Sequence, residues 1–199
     1  ARLGEGLPTL EHRVFVPDLD PTAPRPTPRP ELAVRLWSEV MAEQPVRYED
    51  FRYEDVEFSH PLWILYSSGT TGLPKAITHG HGGMTLETHK VIAFHANQTP
   101  DSCLFFYTTT GWMMFNFMVM GLCSGGRIVL YDGNPLAPDV ERLWQLAAEH
   151  RVTMFGASPT FVQMMIKAGV RPAQKHDLSA LEGVLLGGSP ATPETFAWF

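Results

Sequence analysis

The chain has 199 residues, of which 44% are hydrophobic and 18% are charged, a composition typical of a globular protein with a buried core. Its net charge of −6 at pH 7 argues against a general nucleic-acid-binding protein, because such proteins usually present a basic surface. The most apolar stretch, residues 112–123, is too short to span a bilayer and contains Asn116. It predicts a buried helix, and we expect no membrane partner.

The two cysteines, Cys103 and Cys123, each lie in an apolar run. This predicts two small buried side chains and no disulfide. The N-terminus lacks an apolar signal segment, so we expect a cytoplasmic protein. Because the chain starts at Ala1 instead of Met and ends without a helix stop signal, we also expect a fragment of a longer protein.

The N-terminal part differs in composition from the rest. Six prolines between residues 17 and 30 predict an extended linker. Residues 31–43 carry apolar side chains at helical spacing and predict a helix. We therefore predict an N-terminal segment over residues 1–60 and an α/β region over residues 61–199.

From residue 61 onward, short apolar runs alternate with helical patterns. The apolar runs are residues 62–66, 104–107, 128–131, 152–155 and 184–186. Helical patterns cover residues 138–149 and 160–168 between the last three runs. This alternation predicts an α/β fold with a parallel-rich sheet covered by helices.

The most informative segment, residues 66–75, reads Tyr-Ser-Ser-Gly-Thr-Thr-Gly-Leu-Pro-Lys and directly follows an apolar run. Its glycines allow the backbone to approach a ligand closely, while the hydroxyls and Lys75 suit a polyphosphate. A Walker A loop is excluded, because only two residues separate Gly69 and Gly72 and the lysine does not follow directly. The simpler alternative is a polar turn with a solvated lysine.

This string resembles the phosphate loop of the adenylate-forming superfamily, which includes acyl-CoA synthetases, luciferases and peptide-synthetase adenylation domains. Further similar segments follow in the family's order: residues 110–116, 125–131, 157–160 and 187–190. The resemblance covers about residues 60–199. It implies part of the large N-terminal domain of such an enzyme, without the C-terminal domain.

The resemblance also implies ATP, Mg²⁺ and coenzyme A as reactants or cofactors. It assigns nucleotide binding to Ser67, Ser68, Gly69, Thr70, Thr71, Gly72, Lys75, Gly188, Ser189 and Pro190. Thr70, Thr71 and Lys75 are the expected catalytic residues, because preorganised donors and a cation stabilise the leaving pyrophosphate. The family's magnesium-binding acid, ribose-binding aspartate and late lysine have no counterpart here, so we expect this piece alone to be inactive.

The expected acyl pocket consists of Trp112, Met113, Met114, Asn116 and Gly187. Acetate-activating relatives typically carry valine where this chain has Gly187 and histidine where it has Asn116. Gly187 leaves room for a longer acid. The Asn116 amide either donates to a β-keto oxygen or is a satisfied polar group in a helix. Residues 58–63, 109–114 and 130–133 are most similar to the acetoacetate-activating branch.

That branch implies conversion of acetoacetate and ATP to acetoacetyl-AMP and pyrophosphate, followed by transfer to CoA with release of AMP. Two alternatives stay open: another short-chain acyl-CoA synthetase and a catalytically inactive nucleotide-binding module. A P-loop-type phosphotransferase is a third, although the spacing of glycines and lysine speaks against it, and AMP as the product would exclude it. The histidines at 79, 81, 89 and 95 have no accompanying cysteine or carboxylate pair at ligand spacing, so we predict no metal site there.

Overall fold

The computed structural model describes residues 9–17, 20, 22–24, 33–43, 45–67 and 72–199. The chain divides into two compact units, Ala1–Asp55 and Val56–Phe199. In the described part of the chain, no helix is long and apolar enough to cross a membrane.

The first unit contains two short parallel strands, β1 (Arg13–Phe15) and β2 (Val34–Leu36), and helix α1 (Trp37–Met41). The prediction of one helix over residues 31–43 is wrong for β2, whose residues pair with β1. Val34 and Leu36 stand two positions apart, a spacing that also fits a strand. Pairing with a distant strand, which local spacing does not reveal, decides between the two patterns.

The second unit begins with an antiparallel hairpin of β3 (Pro61–Ser67) and β4 (Lys75–Gly80). Helix α2 (His81–His89) follows and continues as a π-helical segment over Lys90–His95. The expectation that the apolar run in β3 would join the parallel sheet is wrong, because among the described residues β3 pairs only with β4.

The main sheet has four parallel strands in the order β6–β5–β7–β8. They are β5 (Cys103–Phe106), β6 (Arg127–Ile128), β7 (Met154–Ala157) and β8 (Gly183–Leu186). Each overlaps an apolar run in the sequence, and the predicted α/β fold with a parallel sheet and helices is confirmed.

Four more α-helices follow among the described residues of this unit: α3 (Met113–Gly121), α4 (Arg142–Glu149), α5 (Pro159–Lys167) and α6 (Pro193–Trp198). Helix α4 begins at Arg142 and not at residue 138 as predicted. Helix α5 follows the sequence closely: the Ser158 hydroxyl accepts a hydrogen bond from the Phe161 amide at 3.2 Å, and Pro159 occupies the first helical position.

Side chains alternate between the two faces of the sheet. Cys103 and Phe105 of β5 belong to one buried cluster, together with Trp144 of α4 and Phe155 of β7. The rings of Trp144 and Phe155 stack with their centroids 4.3 Å apart. Complete burial of a large apolar side chain contributes about 1.5–3 kcal/mol, so this cluster is a main source of stability.

The opposite face carries a smaller cluster formed by Leu104 and Phe106 of β5 and Met118 of α3. Residues 112–123 contain the predicted helix, but Trp112, at its start, is 69% exposed. Cys103 is buried, and burial raises the pKa of its thiol. The prediction that Cys123 is buried is wrong, because it lies in an exposed 3₁₀ turn after α3; both thiols are free.

Candidate functional site

The strand order creates a topological switch point. From β5 the chain moves to β6 on one side, then crosses to β7 on the other side and on to β8. In open parallel sheets, ligands bind at the carboxyl ends of the strands where the order reverses. The rule therefore points to the segments that follow β5, β7 and β8.

A cavity of about 350 Å³ lies at this edge, and we call it the switch-point cavity. It is lined by Phe106, Tyr107, Thr108, Thr109, Trp112, Met114, Ser158, Thr160, Gly187, Gly188 and Ser189. The described residues of this lining include no charged side chain but carry several hydroxyl groups, a combination that suits an apolar ligand with a few polar atoms.

The amino-terminal end of helix α5 adds a polar feature to this cavity. Ser158 caps the helix and Thr160 lies in its first turn, and both line the cavity. The first turn of a helix has unpaired N–H groups and the positive end of the helix dipole, which favour a negatively charged ligand. The cavity thus combines an apolar wall with an edge that attracts anions.

The two glycines after β8 shape another wall. Gly188 has a φ of 98°, a left-handed conformation that favours glycine. A Cβ atom built on Gly187 would meet only the Cζ atom of Phe106, at 3.9 Å. Because neither residue has a side chain, the switch-point cavity extends up to the backbone of Gly187 and Gly188.

The structure brings together five of the predicted site residues around this cavity: Trp112, Met114, Gly187, Gly188 and Ser189. Pro190 follows directly and is exposed. Two other residues of the predicted acyl pocket, Met113 and Asn116, are not among those that line it. Met113 is exposed and Asn116 is half-buried on α3.

The predicted phosphate loop is described only at its ends. Ser68, Gly69, Thr70 and Thr71 lie outside the described residues. Ser67 and Lys75 are paired as the last residues of the β3–β4 register, so the hairpin joins the two ends of the loop. Gly72 and Lys75 are both exposed.

A second cavity, of about 530 Å³, shares residues 106–109 of its lining with the switch-point cavity. The Tyr107 hydroxyl donates to the Gly133 carbonyl and the Tyr131 hydroxyl donates to the Asn134 carbonyl, each at 3.1 Å. Burial raises the pKa of Tyr107, and the nearby Tyr131 and Asp132 raise it further. The first of these hydrogen bonds connects Tyr107, which lines both cavities, to the segment that follows β6.

Sequence reasoning did not assign Phe106, Tyr107, Ser158 and Thr160 to the site. The signal was available, since each stands at or just after the carboxyl end of a predicted parallel strand. In the part of the chain that the structure describes, no group of three or more His, Cys, Asp or Glu side chains is arranged to hold a metal ion.

Comparisons with known proteins agree with this geometry. Residues 9–199 match the family described as AMP-binding enzyme. Acetoacetyl-coenzyme A synthetase of Rhizobium meliloti (strain 1021) is 44% identical over 146 residues, which are 73% of this chain and 22% of that protein. Acetoacetyl-CoA synthetase of Mus musculus is 34% identical over 197 residues, 99% of this chain and 29% of that protein.

A solved structure, acetoacetyl-CoA synthetase from Streptomyces lividans, superposes on this chain with a TM-score of 0.85 and 43% sequence identity. The match covers 99% of this chain and 29% of the solved chain. The chain thus spans less than a third of the length of these relatives. The resemblance to adenylate-forming enzymes drawn from the motifs is confirmed. The chain belongs to the AMP-binding enzyme family.

Proposed function

We propose that this chain is the nucleotide- and acyl-binding part of an AMP-forming acetoacetate–CoA ligase. The observation that carries the proposal is the switch-point cavity, where Trp112, Met114 and Gly187 meet Gly188 and Ser189 at the carboxyl edge of the sheet. The similarity to acetoacetyl-CoA synthetases supports acetoacetate as the acid.

The reaction has two steps. A carboxylate oxygen of acetoacetate attacks the α-phosphorus of ATP, the bond to the β-phosphate oxygen breaks, and pyrophosphate leaves. The thiol of CoA then attacks the acyl carbonyl of the adenylate, loses its proton, and releases AMP. The first step provides a good leaving group on a carboxylate that is otherwise a poor acyl donor.

Different residues of the chain are proposed to bind the nucleotide and the acid. Thr70, Thr71 and Lys75, with Ser67, Ser68, Gly69 and Gly72, are proposed to hold the phosphates, because hydroxyl and amide donors with a cation stabilise the charge on pyrophosphate. Residues 188–190 are proposed to flank the adenine. Trp112, Met113, Met114, Asn116 and Gly187 are proposed to surround the acyl group.

The edge formed by α5 suits the reacting carboxylate. The negative charge of the carboxylate is attracted by the amino-terminal end of α5, a helix of nine residues. The hydroxyls of Ser158 and Thr160 are available as donors. The apolar side chains of Trp112 and Met114 suit the methyl end. The cavity therefore matches a short acid that is charged at one end.

Magnesium is proposed to enter with ATP as the counter-ion of its phosphates. Carboxylates are the ligands that Mg²⁺ prefers, but the described residues that line the switch-point cavity include neither Asp nor Glu. We therefore assign no residue of this chain to the metal. Bound magnesium supplies charge neutralisation on the phosphates, and the loop of residues 66–75 orients them.

We further propose a cytoplasmic protein that acts on small molecules and not on nucleic acid or membranes. Two free thiols fit a reducing compartment, and the net charge of −6 does not favour a polyanion. Residues 1–60 and 61–199 are proposed to form parts of one large domain.

The test is acid-dependent exchange of labelled pyrophosphate into ATP by the full-length protein. Exchange with acetoacetate, stronger than with acetate, and AMP as the product in the presence of CoA are the expected results. ATP binding without exchange identifies an inactive nucleotide-binding module. ADP as the product identifies a phosphotransferase and overturns the proposal, whereas preference for another acid overturns only the substrate.

A further inference from the structure

The side chain of Phe106 occupies an unusual place in the sheet. Phe106 ends β5 and is paired in register with Gly156 of β7. A Cβ atom built on Gly156 would lie 1.9 Å from the Cδ2 atom of Phe106. The phenyl ring therefore occupies space beside Gly156 that the side chain of any other residue at that position would fill.

The ring reaches beyond β7 to the next strand. Its Cζ atom lies 3.9 Å from the position of a Cβ atom on Gly187, which follows β8. Phe106 thus spans from its own strand to the far wall of the switch-point cavity. Only 4% of the residue is exposed, so the ring is fixed by packing.

Phe106 also contributes to both cavities. It lines the switch-point cavity of about 350 Å³ and the second cavity of about 530 Å³. Because the two cavities share Phe106, the residue lies where the space assigned to the acyl group adjoins the second cavity. A smaller side chain at this position would deepen the first space towards the second.

We propose that Phe106, seated on Gly156, is the residue that limits the length of the acid. The inference rests on the proposed function, in which the acyl chain lies between Gly187 and the start of α3. With the carboxylate at the edge formed by α5, the far end of the chain meets the phenyl ring. A four-carbon acid ends before the ring, whereas a six-carbon acid collides with it.

Phe105 provides a matched control on the same strand. It precedes Phe106, points to the opposite face of the sheet, and packs against Phe155 with ring centroids 5.7 Å apart. It is as deeply buried as Phe106 but lines neither cavity. Replacing either phenylalanine with leucine removes a similar buried volume. Only Phe106→Leu enlarges the switch-point cavity.

The experiment compares the full-length wild type with Phe106→Leu and Phe105→Leu. The readout is kcat/KM for acetoacetate and 3-oxohexanoate in pyrophosphate exchange. Phe106→Leu is expected to raise the ratio of 3-oxohexanoate to acetoacetate about tenfold or more, since two methylenes in a tight pocket discriminate by at least that factor. Phe105→Leu is expected to leave the ratio within about twofold, a change of no more than half a kcal/mol.

A second pair of variants tests the contact itself. Gly156→Ala places a methyl group where the ring lies, so the ring is displaced and acetoacetate activity falls. In the Phe106→Leu background the same substitution is expected to cost about fivefold less, because contacting residues couple in double-mutant cycles. Independent effects of the two substitutions would contradict the seating of the ring on Gly156.

The outcomes distinguish failure of the length-limiting role of Phe106 from failure of the proposed function. Normal acetoacetate exchange in the wild type with an unchanged length ratio in Phe106→Leu overturns this inference alone. An equal shift in Phe105→Leu also overturns it, since the effect would then come from general loosening of the core. Absence of any acid-dependent exchange in the wild type overturns the proposed function and this inference together.

Discussion

The parallel sheet and the β3–β4 hairpin contain similar apolar sequences but differ in how deeply these residues are buried. Strand β5 is fully buried over Cys103–Phe106 and has apolar clusters on both faces. In the hairpin, Ile64 is 53% and Tyr66 is 71% exposed. Each region ends in a segment assigned to ligand binding, but only the sheet supports that segment with a packed core.

This difference teaches how the proposed site divides its tasks. We expect the strands to position the proposed acyl and adenine segments precisely, because packed side chains hold the strand ends in place. The proposed phosphate donors belong to the segment that joins the two strands of the hairpin, and most side chains of these strands are exposed. Changes in the sheet should therefore affect stability first, and changes in the loop should affect function alone.

The largest expected effect is the loss of stability from Phe155→Ala. Phe155 is fully buried between Trp144 and Phe105. Removing such a ring from a core costs about 3–5 kcal/mol of unfolding free energy. In a urea titration of the 199-residue chain, in which Ile64 is 53% exposed, Ile64→Ala in the hairpin should cost less than about 1 kcal/mol. Equal losses at the two sites would contradict the contrast between the two regions.

The next effect concerns the loop, where stability should not change. Thr70→Ala or Thr71→Ala should raise the KM for MgATP or slow adenylation by about tenfold or more, because hydrogen bonds to charged groups contribute about 1.5–3 kcal/mol. The matched control is Thr78→Ala, at an exposed position of β4. Pyrophosphate exchange that matches the wild type in both loop variants would remove their assigned role.

A somewhat smaller effect is expected at the edge of the sheet from Gly187→Val. The Cβ atom fits at 3.9 Å from Phe106, but the two further methyl groups enter the switch-point cavity. The preference for acetoacetate over acetate should shift towards acetate by about ten- to a hundredfold, equivalent to about 1–3 kcal/mol. Gly187→Ala is the graded control and should shift the preference much less. A constant ratio of kcat/KM in both variants would argue against the pocket.

The smallest effect concerns alkaline pH. The pKa of Tyr107 is raised by burial and by its neighbours Tyr131 and Asp132. Its folded form therefore keeps the proton longer than the unfolded chain does, so stability is present below about pH 10 and is lost as the pH rises further.

Replacing Tyr107 with Phe should therefore make the loss of stability above pH 10 shallower. Urea titrations between pH 8 and 11 measure this slope. Tyr66→Phe, on the exposed hairpin strand, should reproduce the wild-type slope. If Tyr107→Phe has the same slope as the wild type, burial of this hydroxyl does not contribute to the pH dependence.

The sequence alone determined those features that depend on neighbouring residues. Apolar runs located β5, β7 and β8, because buried parallel strands need continuous apolar side chains. The helical pattern over residues 160–168 located α5, whose start is determined locally by the Ser158 cap and Pro159. The string of residues 66–75 and the order of the later motifs identified the family, which the comparisons confirm.

Features that depend on distant partners were decided by the tertiary structure. β2 became a strand through pairing with β1, and β3 paired with β4 outside the parallel sheet. Cys123 lies in an apolar run yet is exposed, because hydrophobicity does not specify which face of a turn is covered. The contact between Phe106 and Gly156 joins residues fifty positions apart in the sequence. Local periodicity encodes which residues are buried, whereas the pairing of strands depends on how distant segments assemble. That pairing brings together the residues that line the switch-point cavity, including Phe106.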